Sequence, residues 1–180
     1  MTALRIVVAV VWIVFWIYWG VSAFRSKRGT SSARGAPMRL LVAVLVVLLF
    51  RFVHPGSLDV HSVVSAALGT VIVFGGLGFA VWARIHIGRN WGMPMSQKEE
   101  PELVTSGPYR FVRHPIYTGI LVAAVGTALA INLLALVVAT ILGVFFWYSA
   151  TVEERNLAAL FPRAYPAYRA RTKMLIPFVF

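Results

Sequence analysis

Residues 116–150 read IYTGILVAAVGTALAINLLALVVATILGVFFWYSA, an apolar run of 35 residues without one charged side chain. Roughly 20 apolar residues form a helix that crosses about 30 Å of hydrocarbon. The run is therefore too long for one straight crossing and just long enough for two short ones. Asn132 lies near its midpoint, and asparagine favours tight turns. We predict a helical hairpin with spans at 116–131 and 133–150.

Three further apolar stretches precede this hairpin, and we predict spans at about 3–24, 38–53 and 62–83. The composition agrees, because 59% of the 180 residues are hydrophobic and only 13% are charged. Such a chain is too apolar for a water-soluble domain. The first stretch is longer than a signal-peptide core and lacks a clear cleavage site. The sequence therefore predicts an all-α, polytopic transmembrane bundle of about five spans.

Positive charge is concentrated in the connections between these stretches. The net charge is +11, and 15 of the 17 Lys and Arg residues lie in 25–39, 84–115 and 151–180. Basic connections are typical of the cytoplasmic side of a membrane, which explains this charge better than nucleic acid binding does. Five spans put all three segments on that side, with the N-terminus outside and the C-terminus in the cytoplasm. We predict a single integral membrane domain over the whole chain, with three spans in 1–83 and the loop, hairpin and tail in 84–180.

The third predicted span carries Gly69, Gly75, Gly76 and Gly78. Small residues let helices approach closely in lipid, so we predict that these glycines form one smooth packing face. Gly76 and Gly78 could instead admit a cofactor.

The loop before the hairpin ends in SGPYRFVRHPIYTG over 106–119. Gly107 followed by Pro108 indicates a turn. Pro115 suits the first turn of a helix, where its missing N–H costs nothing. We therefore predict that a helix begins here, with free backbone N–H groups that favour an anionic group.

The side chains around this helix start admit two interpretations. Arg110, Arg113 and His114 could hold an anionic group, and the rings of Tyr109 and Tyr117 could stack on a purine or meet a sulfonium cation. Alternatively, the arginines reach lipid phosphates and the tyrosines belong to the interfacial aromatic belt. The chain has no cysteine, and its four histidines show no metal-ligand spacing, so we predict neither a metal nor nucleic acid as a partner.

Glu153 and Glu154 form an acidic pair at the end of the fifth predicted span, where negative charge opposes the helix dipole. A carboxylate facing the bundle could accept hydrogen bonds from ribose hydroxyls or an amino group. Alternatively, the pair is exposed to solvent and ion-paired with Arg155 or a loop arginine. Apolar residues at helical spacing then predict an amphipathic cytoplasmic helix: Leu157, Leu160, Phe161, Tyr165 and Tyr168.

Taken in order, these motifs resemble those of a known family. The segments LVTSGPY at 103–109 and RHPIYTG at 113–119, the acidic pair, and the aromatic residues after it are similar to the isoprenylcysteine carboxyl methyltransferase family and its bacterial and phospholipid-methylating relatives. GRNW at 88–91 resembles the segment before the loop in those proteins. The resemblance covers about 82–177.

The resemblance implies a membrane enzyme that transfers a methyl group from S-adenosylmethionine to an oxygen, nitrogen or sulfur atom of a lipophilic small molecule or lipid, at the inner leaflet. As our own hypothesis, Arg113 or Arg110 orients an anionic acceptor or the cofactor carboxylate. By position, the resemblance implies these cofactor contacts: Leu103, Val104, Tyr109, His114, Pro115, Ile116, Tyr117, Glu153 and Glu154.

Two positions depart from the family pattern. Pro101 stands where family members often have a histidine, and Ser149 stands where the prenylcysteine enzymes have a substrate-facing arginine, which argues against a prenylcysteine carboxylate as acceptor. Two other classes of function stay open: an NADPH-dependent membrane reductase of the sterol-reductase type, and a non-catalytic lipid-binding protein. Stabilisation by S-adenosylmethionine, by NADPH or by neither would discriminate among the three.

Overall fold

Helices make up most of the chain in the computed structural model, which describes residues 2–23, 29–31, 37–38, 40–45, 55–92, 96–98 and 102–177. Residues 37–38 and 40–45 are helical. The named helices are α1 (Thr2–Ala23), α2 (Val63–Ile87), α3 (Pro115–Ala130), α4 (Leu134–Leu160) and α5 (Ala164–Arg171). This architecture confirms the predicted all-α bundle.

A ribbon of two short antiparallel strands joins two of the loops at one end of the bundle. Strand β1 (Gly29–Ser31), after α1, pairs antiparallel with strand β2 (Ser96–Lys98), after α2, with Gly29 opposite Lys98. The ribbon holds two of the predicted basic segments on the same side. Single turns of 3₁₀ helix lie at Pro55–Leu58, Gly88–Asn90 and Gly107–Arg110.

The closest helix pair is α2 with α3, and glycines make it possible. A Cβ added at Gly76 would lie 2.6 Å from a backbone nitrogen of α3, and one at Gly69 would lie 2.5 Å from another. Gly119 and Gly126 of α3 meet the backbone of α2 in the same way. Only glycine allows two helix backbones to approach so closely, a common solution in lipid.

The other two glycines of α2 lie away from this crossing. A Cβ added at Gly75 or Gly78 would meet nothing within 4 Å. The predicted smooth face of four glycines is therefore wrong in part. Residues seven apart share one side of a helix, so Gly69 and Gly76 face α3 together, whereas Gly75 and Gly78 point elsewhere.

The predicted spans follow the observed helices in order. Within the described ranges, the helices long and apolar enough to cross a membrane lie at Thr2–Ser22, Val63–Asn90 and Leu134–Leu160. The shorter α3 has 16 residues, a rise of about 24 Å. Of the predicted second span, residues 39 and 46–53 lie outside the described residues.

The predicted hairpin turn at Asn132 is confirmed, and polar contacts hold it. Oδ1 of Asn132 accepts a hydrogen bond of 2.8 Å from the N–H of Leu134, which begins α4. Nδ2 of Asn132 donates to Asp59 over 2.6 Å, and Arg5 forms a 3.0 Å ion pair with the same carboxylate. The hydrogen bonds from Asn132 and then Arg5 lower the pKa of Asp59. These contacts tie α1, the hairpin and the residues before α2 together at the end opposite the ribbon.

Candidate functional site

The turn at Gly107 positions the first side chain of the site. Gly107 has φ +58°, and an added Cβ would lie 2.6 Å from the ring of His86. Both the left-handed backbone and the lack of space require glycine. Tyr109, two residues later, is buried and lies with its hydroxyl 3.5 Å from the carbonyl of Ala83. The turn predicted at Gly107 and Pro108 thus directs a tyrosine into the bundle.

The start of α3 is covered by the tail of the chain, residues 172–177. The backbone N–H groups of Arg113 and His114 donate to the carbonyls of Lys173 (2.8 Å) and Met174 (3.1 Å). The hydroxyl of Thr118 donates to the carbonyl of a further tail residue over 2.6 Å. The tail thus uses the two N–H groups that precede Pro115, and free N–H groups within the first turn of α3 itself stay a prediction.

Arg113 and Glu154 form a buried ion pair beneath α3. Nε of Arg113 lies 2.6 Å from Oε1 of Glu154, and the two side chains are 8% and 5% exposed. Nη1 of Arg113 also donates to the carbonyl of Thr172 in the tail. The idea of an exposed acidic pair is therefore wrong for Glu154, although its pairing with a loop arginine was among the alternatives. Helix α4 continues to Leu160, beyond the end predicted for the fifth span at 150, and Glu154 lies within it.

His114, Tyr117 and Glu153 form a second polar group. The Tyr117 hydroxyl donates to Oε1 of Glu153 over 2.6 Å, and Nδ1 of His114 lies 3.4 Å from Oε2 of Glu153. Nε2 of His114 lies 3.5 Å from Glu154 without the geometry of a hydrogen bond. The ring of Tyr117 is parallel to those of His114 and Phe146, at 5.5 and 4.4 Å between centroids.

Two opposing effects act on the pKa of His114. Burial lowers it, but the close contact with Glu153 and the negative charges of Glu153 and Glu154 outweigh burial and raise the pKa of His114 above its usual value. The histidine is therefore held as a cation between two carboxylates over a wider pH range than in water.

These groups border a cavity of about 580 Å³, a volume within the usual range for small-molecule sites. Along α4 its lining runs from Leu142 to Leu160, about 27 Å of helix rise. The lining near Glu153 and Asn156 is polar, whereas that near Leu142 and Phe146 is apolar. The cavity therefore joins a polar region to an apolar one.

Most of the predicted site residues line this cavity. Arg113 does, together with these predicted cofactor contacts: Leu103, Val104, Tyr109, His114, Pro115, Ile116, Tyr117 and Glu153. Glu154 is not in the lining and lies behind it, against Arg113. Arg110 is exposed, with its guanidinium 4.6 Å from the centroid of the Phe111 ring. Gly76 and Gly78 are also absent from the lining.

Sequence reasoning missed one wall of the cavity. Trp16 and Trp19 of α1 line it, as do Phe145 and Phe146 of α4. The tryptophans belong to an aromatic run that a membrane-surface belt would explain equally well, and two phenylalanines in an apolar helix carry no signal. Asn156 could have been found, because it follows Glu153 by three residues and so shares its helix face.

Comparison with known proteins identifies the family. The family model for phospholipid methyltransferases matches residues 64–164, more than half of the chain. The chain belongs to the phospholipid methyltransferase family. The resemblance seen in the motifs is confirmed, and the family together with the long apolar helices identifies an integral membrane protein of a methyltransferase family.

The names of individual relatives differ from one another. The chain is 31% identical over 146 residues to protein-S-isoprenylcysteine O-methyltransferase B of Arabidopsis thaliana, covering 79% of this chain and 73% of that protein. It is 42% identical over 79 residues to methanethiol S-methyltransferase 1 of Bradyrhizobium diazoefficiens, covering 43% and 27%. It is 34% identical over 94 residues to a cobalt-zinc-cadmium resistance protein of Cupriavidus metallidurans, covering 51% and 43%. The last two matches span less than half of each relative.

Proposed function

We propose that this protein transfers the methyl group of S-adenosylmethionine to a lipophilic small molecule or lipid within the membrane. The observation that carries the proposal is the cavity, which joins a polar region around His114 and Glu153 to an apolar region around Trp16 and Phe145. A nucleotide-like cofactor needs the first region, and a lipophilic acceptor needs the second. The methyltransferase names of the relatives favour this activity over an NADPH-dependent reductase.

The polar lining fits the cofactor. Among the described residues, Oδ1 of Asn90 is buried without a hydrogen-bond partner, and Asn90 lines the cavity. A buried acceptor without a partner is costly, and a donor on the cofactor would satisfy it. The cofactor has such donors in its adenine amino group, ribose hydroxyls and ammonium group. Glu153 offers further acceptors, and the rings of Tyr109 and Tyr117 offer faces that attract a sulfonium.

S-adenosylmethionine supplies a methyl carbon on a positively charged sulfur, which a lone pair of the acceptor attacks as the carbon–sulfur bond breaks. The protein's contribution is then mainly positioning, worth roughly 7–11 kcal/mol in well-oriented systems. Tyr117 and His114 orient the carboxylate of Glu153. Arg113 ties the tail to α4 through Glu154, which keeps the start of α3 in place beside the cavity.

We propose that the acceptor occupies the apolar part, where aromatic side chains exclude water from the reaction. Arg113 already donates hydrogen bonds to Glu154 and Thr172. An anionic acceptor or cofactor carboxylate bound by Arg113 would therefore share its guanidinium with these two partners. The predicted role of Arg110 stays a prediction, since Arg110 lies outside the lining. We propose that the polar end faces the cytoplasm, where the cofactor is available.

Calorimetry on the protein in lipid nanodiscs tests the cofactor assignment, with S-adenosylmethionine and NADPH titrated separately. We expect binding of the first alone. Glu153→Gln should weaken that binding about tenfold or more, since a hydrogen bond to a charged group contributes roughly 1.5–3 kcal/mol. Arg155→Gln, on the same helix and exposed, is the matched control. Affinity of the Glu153 variant within twofold of wild type would contradict the assignment.

Mass spectrometry identifies the acceptor. Lipid extract is incubated with the protein and methyl-labelled S-adenosylmethionine, and a labelled lipophilic product is expected. Cofactor binding without any labelled product in lipid or small-molecule fractions would contradict methyl transfer.

A further inference from the structure

Arg84 is a buried cation inside a membrane-spanning helix. It lies in α2 and is only 4% exposed. A charged side chain in this position is costly, and near a helix end it usually extends toward the membrane surface. Arg84 instead turns inward, so its position needs a reason other than topology.

The guanidinium of Arg84 holds the end of α1. Nη2 donates to the carbonyl of Ser22 over 2.6 Å, and Nη1 donates to the carbonyl of Gly88 over 2.8 Å. Ser22 belongs to the last turn of α1, where carbonyls have no partner in the helix and carry partial negative charge. One side chain of α2 therefore caps a neighbouring helix.

Aromatic contacts extend this arrangement to the cavity. The Arg84 guanidinium carbon lies 4.6 Å from the centroid of the Trp91 ring, and Trp91 meets Trp19 edge to face at 5.5 Å. Both tryptophans line the cavity, whereas Arg84 does not. Arg84 thus lies directly behind the wall that α1 contributes.

Polar contacts do more to hold α1 against the other helices than the burial of apolar surface does. In lipid, apolar surface does not drive helices together, so hydrogen bonds and close packing must hold them. Arg5 pairs with Asp59 at the far end of α1, and Nε1 of Trp12 donates to Thr127 at its middle over 3.0 Å. Arg84 supplies the hydrogen bond at the end of α1 that borders the cavity.

We propose that Arg84 is a positioning residue: it sets the α1 wall of the cavity and thereby how well the acceptor fits. The inference rests on the proposed function, because it assigns the apolar part of the cavity to the acceptor. The Arg84 side chain also contacts the carbonyl of Gly88, but the turn Gly88–Asn90 on the cofactor side keeps backbone hydrogen bonds that do not need this side chain. The N–H of Gly88 donates to the carbonyls of Arg84 and Ile85, and the N–H of Trp91 donates to Gly88.

Spin labels test the position of α1 without any ligand. The chain has no cysteine, so Ile17→Cys with Ile85→Cys labels the protein at two defined sites, both exposed on the bundle surface. Arg84→Met should broaden the distance distribution between the labels, and Arg84→Lys should broaden it less, because one ammonium can still reach the carbonyl of Ser22. Arg155→Met, the same substitution at an exposed site on α4, is the matched control and should leave this distribution as in wild type.

Kinetics test the consequence, with 1-dodecanethiol as the acceptor probe and release of S-adenosylhomocysteine as the readout. Arg84→Met should raise the KM for the thiol at least about fivefold and change the Kd for S-adenosylmethionine less than about twofold, a split that general destabilisation would not produce. Arg84→Lys should recover part of the loss. If the Met variant fails to fold, the Lys variant carries the comparison.

The two proposals fail in different ways. A wild-type protein that binds no S-adenosylmethionine contradicts the proposed function, and the spin labels alone then decide whether Arg84 holds α1. The spin labels are likewise the only test of the inference if the wild-type protein does not methylate the thiol. An unchanged distance distribution, an unchanged KM for the thiol, or equal losses in KM and cofactor Kd would overturn the inference about Arg84.

Discussion

At Arg113, one side chain joins three parts of the chain. Its guanidinium contacts Glu154 on α4 and a carbonyl of the tail, while its own N–H holds a second tail carbonyl. A buried ion pair of this kind gains little over an apolar pair, but breaking it leaves a buried charge uncompensated. The energetic effect of Arg113 is therefore best measured together with its partner.

Arg113→Met should destabilise the protein by about 3 kcal/mol, the lower end of the cost of leaving one charge of a buried pair alone. Adding Glu154→Gln to Arg113→Met should recover much of that loss, because the uncompensated charge is gone. Thermal unfolding in detergent measures both. Arg110→Met, at an exposed site, should stay close to wild type. A double variant no more stable than Arg113→Met would contradict the pairing.

His114 predicts how stability depends on pH. Because folding raises the pKa of His114, its stabilising effect is complete below the unfolded-state pKa of about 6.5 and is lost as pH rises through the folded-state value. The Tm of wild type minus that of His114→Gln should therefore shrink as pH rises above about 6.5. Arg155→Gln, at an exposed site on α4, is the control substitution. A difference that grows with pH would reverse the assigned sign.

At the scale of elements, the crossing of α2 and α3 rests on glycine. Gly76→Ala should destabilise the protein by about 2 kcal/mol, since overpacking typically costs roughly 1–3 kcal/mol; the added Cβ would lie 2.6 Å from the backbone of α3. Gly75→Ala is the matched control next to it, with open space around the added atom. Unfolding temperatures measure both variants. Equal tolerance of the two substitutions would contradict the packing.

Local chemistry made several elements predictable from sequence. Apolar length located the helices, Asn132 located the hairpin turn, and the Gly107-Pro108 pair located the turn before α3. The end of α4 was not predictable in this way, because Glu154 reads as a surface charge until Arg113, far away in sequence, is known to meet it. The α1 wall was also not predicted, because an aromatic residue that faces lipid cannot be distinguished, from sequence, from one that faces a cavity.

For the whole molecule, the site residues were easier to predict than their environment. The family resemblance brought together the predicted cofactor contacts between Leu103 and Tyr117 with Glu153, and these residues share one cavity. The contacts between the tail and the start of α3 join residues that are far apart in the sequence, and no short motif predicts such pairings. These contacts take up the N–H groups of Arg113 and His114, which lie just before the predicted helix start at Pro115.

The orientation predicted from the basic connections is testable on the cysteine-free chain. Gly56→Cys lies near the Arg5–Asp59 end, and Arg163→Cys lies near the tail; both positions are exposed. A membrane-impermeant maleimide should label Gly56→Cys on intact cells and Arg163→Cys only after permeabilisation. The unmodified chain is the control for background labelling. The reverse pattern would contradict the predicted orientation.

The hydrogen bonds between the tail and the start of α3 also impose an order on biosynthesis. Lys173 and Met174 follow every described long helix in the chain, so they are synthesised last of the groups that meet at the start of α3. Until they are made, the N–H groups of Arg113 and His114 lack these carbonyl partners. A chain truncated before residue 173 would keep the membrane-spanning helices and lose the contacts that cover the start of α3.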